Sequence, residues 1–108
     1  MSSTPYSNID VDETEDLWYA GNCEIVGGTA FNGHTAVEFL KIYDAAAVAD
    51  VTVGTTVPKF VIGIPLKGSV SIPRATFKLG VVVACTLNAA LADATAPTVA
   101  AVVSLSID

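Results

Sequence analysis

From Lys59 to Leu66 the chain reads KFVIGIPL. Its even positions Phe60, Ile62, Ile64 and Leu66 are apolar, while Lys59, Gly63 and Pro65 share the other face with Val61. A half-buried strand repeats every two residues in this way, and a helix does not. FKLGVVVACTL, residues 77–87, carries Phe77, Leu79, Val81, Val83, Cys85 and Leu87 on one face and predicts a single strand. Near the C-terminus Val99, Ala101, Val103, Leu105 and Ile107 alternate with Ala100, Val102, Ser104 and Ser106, the cleanest strand pattern in the sequence. CEIVGGTAF has Gly27-Gly28 at its centre, which predicts a bulge or bend within a strand. AVEFLKIY is apolar on both faces, as expected if one face meets the core and the other a neighbouring subunit.

Turn signals fall at Asn32-Gly33, Val53-Gly54, Lys67-Gly68 and Ala96-Pro97. Two alanine-rich stretches, DAAAVAD at 44–50 and LNAALADATAP at 87–97, are shorter than the roughly 12 residues an isolated helix needs. They read as connectors that hold at most a helical turn. Seven or eight short strands at this spacing predict an all-β fold, an antiparallel β-sandwich of jelly-roll type. The expected layout is an extended acidic N-terminal arm over residues 1–16 and one sandwich domain over residues 17–108.

Composition adds two constraints. The chain has 108 residues, 52% of them hydrophobic, with a mean hydropathy of +0.58. That is more apolar surface than a small domain usually hides, so the excess reads either as a subunit interface or as an Ala/Val-rich monomer core. Charge is segregated. Residues 1–40 hold seven acidic side chains and no Lys or Arg, whereas residues 41–80 hold all five cations against Asp44 and Asp50. The acidic segment is therefore either a contact with a basic neighbour or a solvated tail. A net charge of −6 excludes nucleic acid as a natural partner.

Gly, Pro, Thr and Lys interrupt every apolar run, so no membrane span of about 18 residues is expected. MSSTPYSNIDVDETED lacks the basic start and apolar run of a signal peptide, and export by that route is not expected. Cys23 and Cys85 lie far apart with no metal-type spacing, and Cys85 sits in an apolar run as a small buried hydrophobe would. Both are expected to be free, with a disulfide the alternative.

Candidate chemistry is sparse. His34, the one histidine, follows Asn32-Gly33 in an expected turn with no nucleophile at useful spacing. The carboxylate pairs Asp10/Asp12 and Glu13/Asp16 stand in a segment that would not desolvate them for acid–base work. DVDETED lacks the ligand spacing of a calcium loop. No enzyme activity, cofactor or metal is expected.

The stretches DVDETED (Asp10–Asp16), FLKIYD (Phe39–Asp44), TVGTTVP (Thr52–Pro58) and FVIGIPL (Phe60–Leu66) together resemble a group of small virion proteins of tailed bacteriophages and prophages. The similarity covers most of the chain, more loosely toward the C-terminus. KGSVSIP stands where such proteins often have a glycine-rich turn, and LNAALADATAP where they often have a longer Asp/Ser/Thr run.

The resemblance implies a capsid decoration (cement) protein on the outer surface of the phage head, with a fibre or spike module for host attachment as the alternative. It implies a homotrimer, the major capsid protein as partner, synthesis in the bacterial host cytoplasm and residence on the virion. Within that reading Ile9, Asp10, Val11, Asp12, Glu13, Glu15 and Asp16 are the expected partner interface. Leu17 and Trp18 either anchor the arm or begin the first core strand.

Overall fold

The computed structural model describes residues 4–90, 92–97 and 99–108, with Thr4, Pro5 and Ile9 described by their backbone alone. Among these residues are nine strands: β1 (Thr4–Val11), β2 (Asp16–Ala20), β3 (Cys23–Asn32), β4 (Glu38–Asp44), β5 (Phe60–Ile64), β6 (Gly68–Ser71), β7 (Ala75–Phe77), β8 (Gly80–Thr86) and β9 (Ala101–Ile107). The first alanine-rich connector holds one 3-10 turn, Val48–Asp50, as its length allows.

All pairings are antiparallel and make two sheets. Sheet A runs β1-β9-β3, with β6 and β7 sharing the far side of β3, and sheet B runs β2-β8-β4-β5. β6 pairs with Thr29–Asn32 and β7 with Cys23–Ile25; between them the Ile72 N–H donates to Gly28 O at 2.9 Å. Counted as one interrupted strand, β6 and β7 bring the total to eight, and successive strands then alternate between the sheets except for the β4–β5 hairpin within sheet B, which is the jelly-roll order.

The strand expected over 77–87 is divided. The Asp44 carboxylate accepts the backbone N–H groups of Lys78, Leu79 and Gly80 at 3.0, 2.8 and 3.3 Å, pulling the chain out of line there. Residues before this corner belong to sheet A and those after it to sheet B, and Leu79 is left exposed. The bulge expected at Gly27-Gly28 is present as a register shift between Ile25 and Gly27. It brings β3 so near β9 that a Cβ on Gly28 would meet Ser104 O and come within 2.9 Å of a Leu105 methyl.

The N-terminal segment differs from the expected extended arm. Thr4–Val11 is a strand of sheet A, in register with β9 from Thr4↔Ile107 to Val11↔Ala101 apart from one shift after Asn8. The reason is burial: Val11 is 1% exposed, and β1 supplies the second neighbour that β9 needs in the middle of its sheet. Trp18 is a core residue of β2, whereas Leu17 beside it is exposed.

The main core lies between the sheets. Ile25, Ala30, Val103, Leu105 and Ile107 of sheet A meet Leu40, Ile42, Val81, Val83 and Cys85 of sheet B, with Trp18 and Phe77 also packed in. A second core forms on the outer face of sheet B, where Ala45 and Val51 cover Tyr43, Val82 and Ala84. The segments 45–58 and 88–97 meet over this face, since a Cβ on Gly54 would lie 3.5 Å from the Ala94 Cβ. Lys41 is fully buried beneath them, its Nζ donating to Ala90 O at 2.8 Å and Asp93 O at 2.9 Å. The doubly apolar pattern of AVEFLKIY is thus satisfied inside the chain: the face expected to meet a neighbouring subunit meets the protein's own loops.

Candidate functional site

Strand register defines two ends of the sandwich. The upper end carries Val11, Asn32, Glu38, Ile64, Thr86 and Ala101, and the lower end carries Ala20, Cys23, Asp44, Phe60, Gly80 and Ile107. The upper end is tied across the two sheets by the Cys85 N–H donating to Asp12 O at 2.7 Å and by Asn32 Nδ2 donating to Ile64 O at 3.2 Å.

Asn32, fully buried, organises the turn after β3. Its Nδ2 also donates to Ala36 O at 2.8 Å, and its Oδ1 accepts the His34 N–H at 2.8 Å. This holds His34 beside Glu38, whose side chain is fully buried. Glu38 Oε1 lies 3.9 Å from Cys85 Sγ, and Oε2 lies 3.8 Å from His34 Nδ1; neither Oε2 nor Nδ1 has a hydrogen bond. Burial pushes the Glu38 carboxyl above its ordinary range, against the weaker pull of His34 and of the Val99 N–H. Burial, reinforced by the carboxylates of Glu38 and Asp12, pushes the Cys85 thiol up to about 12.

Chemically this cluster is inert as a nucleophile. The carboxylate stands between thiol and imidazole, so His34 has no direct route to the Cys85 proton, and the thiol stays protonated at neutral pH. Cys23 and Cys85 are both buried and free, as the sequence pattern expects.

A pH prediction follows from Cys85. Its folded pKa lies above the unfolded value of 9.0, so between pH 9 and about 12 the folded chain binds more protons than the unfolded one. Stability then falls with rising pH, by up to about 1.4 kcal/mol per pH unit from this group. Cys85→Ala lacks that loss. The stability advantage of the unsubstituted protein over the variant, measured by urea unfolding, should therefore shrink steadily above pH 9; a constant gap would refute the assignment.

The acidic residues expected as a partner interface are gathered at the β1–β2 corner but do different jobs. Val11 is core, which corrects its placement in an interface, and the Ile9 side chain lies outside the described residues. Asp16 accepts Asn8 Nδ2 at 2.9 Å and Trp18 Nε1 at 3.0 Å, bracing the hairpin. Glu15 accepts the Val53 N–H at 3.2 Å, and Asp12 accepts the Thr14 N–H at 2.9 Å. Asp10, Asp12, Glu15 and Asp16 line a shallow groove of about 340 Å³. Among the described residues none of them pairs with a Lys or Arg; the ion pairs are Arg74–Glu24 and His34–Glu38.

One surface was not anticipated. Ser7, Ser104, Thr29 and Ser71 stand opposite one another across β1, β9, β3 and β6. Ser104 Oγ lies 3.2 Å from Ser7 Oγ. Beside this row, on the same outer face of sheet A, is a depression of about 460 Å³ lined by residues including Ser7, Gly28, Thr29, Ser104 and Ser106. The sequence signal was the polar half of the alternation in VVSLSI and GGTAF, which becomes a surface only once the strands are set side by side.

No family model and no curated protein matches the chain. Among solved structures, it is similar to a chain described as Bacillus endospore appendages that form a novel family of disulfide-linked pili. There the TM-score is 0.47 and the identity 12%, over 99% of this chain and 87% of that one. It is also similar to hydroquinone 1,2-dioxygenase from Sphingomonas sp. TTNP3 with 4-hydroxybenzoate bound, with a TM-score of 0.25 and 10% identity, over 100% of this chain and 60% of that one. Both TM-scores lie below 0.5, so neither likeness says what this chain does.

Proposed function

We propose that the chain is a non-enzymatic structural component of a virus particle, specifically a decoration protein bound to the outer surface of a tailed-phage head. The observation that supports this best is the unequal treatment of the two sheets. The outer face of sheet B is covered over its central strands β4 and β8 by the chain's own loops, with Leu17 and Val61 of the edge strands left exposed, whereas the outer face of sheet A presents its hydroxyl row and shallow depression to the outside. A broad, nearly uncharged face suits attachment to a shell through many weak contacts. The resemblance of Asp10–Asp16, Phe39–Asp44, Thr52–Pro58 and Phe60–Leu66 to small virion proteins points the same way.

Under this reading the partners are the major capsid protein and further copies of the chain, arranged as a homotrimer. Binding to the assembled shell alone stabilises it by mass action, since free capsid subunits lack the joint between capsomers. The test is copy number and head binding. Purified particles should carry hundreds of copies, and the isolated protein should bind expanded heads far better than unassembled capsid subunits. Ten copies or fewer, with adsorption to the host lost on deletion and head stability unchanged, would replace this reading with a fibre.

A further inference from the structure

The two ends of the sandwich differ in a complementary way. At the upper end, Asp10, Asp12 and Glu13 have no cationic partner among the described residues, and Phe31, Leu66 and Val99 are exposed around the 33–37 turn. The cations there are few: Lys67 lies in the turn before β6, and Lys41 is committed to the 88–97 segment.

At the lower end the acidic groups are largely occupied. Asp44 is held by three backbone N–H groups, and Glu24 is paired with Arg74, with Asp108 close to the same guanidinium. Lys59 and Lys78 are exposed, and among the described residues neither forms an ion pair. Each stands beside a strongly exposed apolar residue, Lys78 next to Leu79 at 55% and Lys59 two residues after Val57 at 73%. Lys59 is additionally fixed over the Phe77 ring, 5.4 Å from its centre.

We propose that copies of this chain associate head to tail, the lower end of one seating Leu79, Val57 and the two lysines against the acidic, apolar upper end of the next. The occupant is a second copy because the missing charge of each end is displayed by the other. Such a contact is heterologous, so an open assembly of any length keeps one free lower end and one free upper end until a ring closes. It goes beyond the functional reading and needs no capsid, so solution assembly tests it separately from head binding.

Two charge-reversed variants decide it. Asp10→Lys/Glu13→Lys damages only the upper end, and Lys59→Glu/Lys78→Glu only the lower; among the described residues none of these four side chains makes a hydrogen bond. Unsubstituted protein should sediment as an oligomer at micromolar concentration. Each variant alone should lose about tenfold or more in association, exposed pairs acting together with the apolar contact they orient. Mixed in equal amounts, the variants should assemble again, because an intact lower end meets an intact upper end and the two reversed ends are once more opposite in charge. Leu79→Gln, checked for an unchanged circular dichroism spectrum, should weaken assembly without altering charge. A monomeric unsubstituted protein, a variant that assembles normally, or a mixture that stays monomeric would each overturn the proposal.

Discussion

Gly80→Ala should destabilise the protein by about 3 kcal/mol, among the largest effects of a single methyl group in this fold. Gly80 opens β8 with φ near +151°, and a Cβ there would run into Tyr19 O and lie 2.6 Å from Ala45 O. Both obstacles are backbone, in β2 and just past β4, so neither can swing aside as a side chain would. The same corner is where the chain passes from sheet A to sheet B under the grip of Asp44. Gly27→Ala is the control: nothing lies within 4 Å of its Cβ, and its cost should stay within about 0.5 kcal/mol. Urea unfolding of the two variants separates these outcomes, and equal losses would mean that the corner is looser than described.

Lys41→Ala should cost about 3 kcal/mol as well, for a different reason. The substitution empties space beneath the 88–97 segment and leaves Ala90 O and Asp93 O without their donor. Asp93 would keep its own turn together through Asn88 and Thr95, so the damage should appear as loosened docking of the segment. Amide exchange should therefore speed up first at Val82, Ala84 and their neighbours on the outer face of sheet B. Lys41→Met restores volume but not the hydrogen bonds and should recover part of the loss. Burial of the ammonium pulls the Lys41 pKa down, so in the window below 10.5 the unfolded chain binds more protons and this group's penalty eases as pH rises. That dependence should be absent from the Met variant.

Much of the fold could be read from alternation. The odd positions Ala101, Val103, Leu105 and Ile107 are all buried, and Gly27-Gly28 marks a real register shift. The Asn32-Gly33 turn with His34 is also where the pattern puts it. What escaped the reading depended on partners distant in sequence. FKLGVVVACTL looks continuous until Asp44, more than thirty residues earlier, is seen binding three of its N–H groups. Lys41 and Glu38 look like the solvent-facing members of a strand, yet both are fully buried by segments that the local pattern cannot place. The acidic corner was visible as charge, but its division of labour was not: Asp16 braces Trp18, Glu15 holds Val53 and Val11 fills the core. The hydroxyl row of sheet A shows in the sequence only as the polar half of separate alternations, because its four members come from four strands.

The position of β9 has a consequence for how the protein is made. This strand lies between β1 and β3, and among the described residues β1 has no other partner in its sheet. Sheet A therefore cannot close until β9 has left the ribosome, and β1 must wait for a partner strand far along the chain, as the pair Thr4↔Ile107 shows. Pairing over such sequence separation makes for slow folding, with apolar strand edges exposed meanwhile. Subunits should consequently fold late, and the time needed to bring β1 and β9 together, more than the rate of translation, should set how quickly assembly-competent protein accumulates.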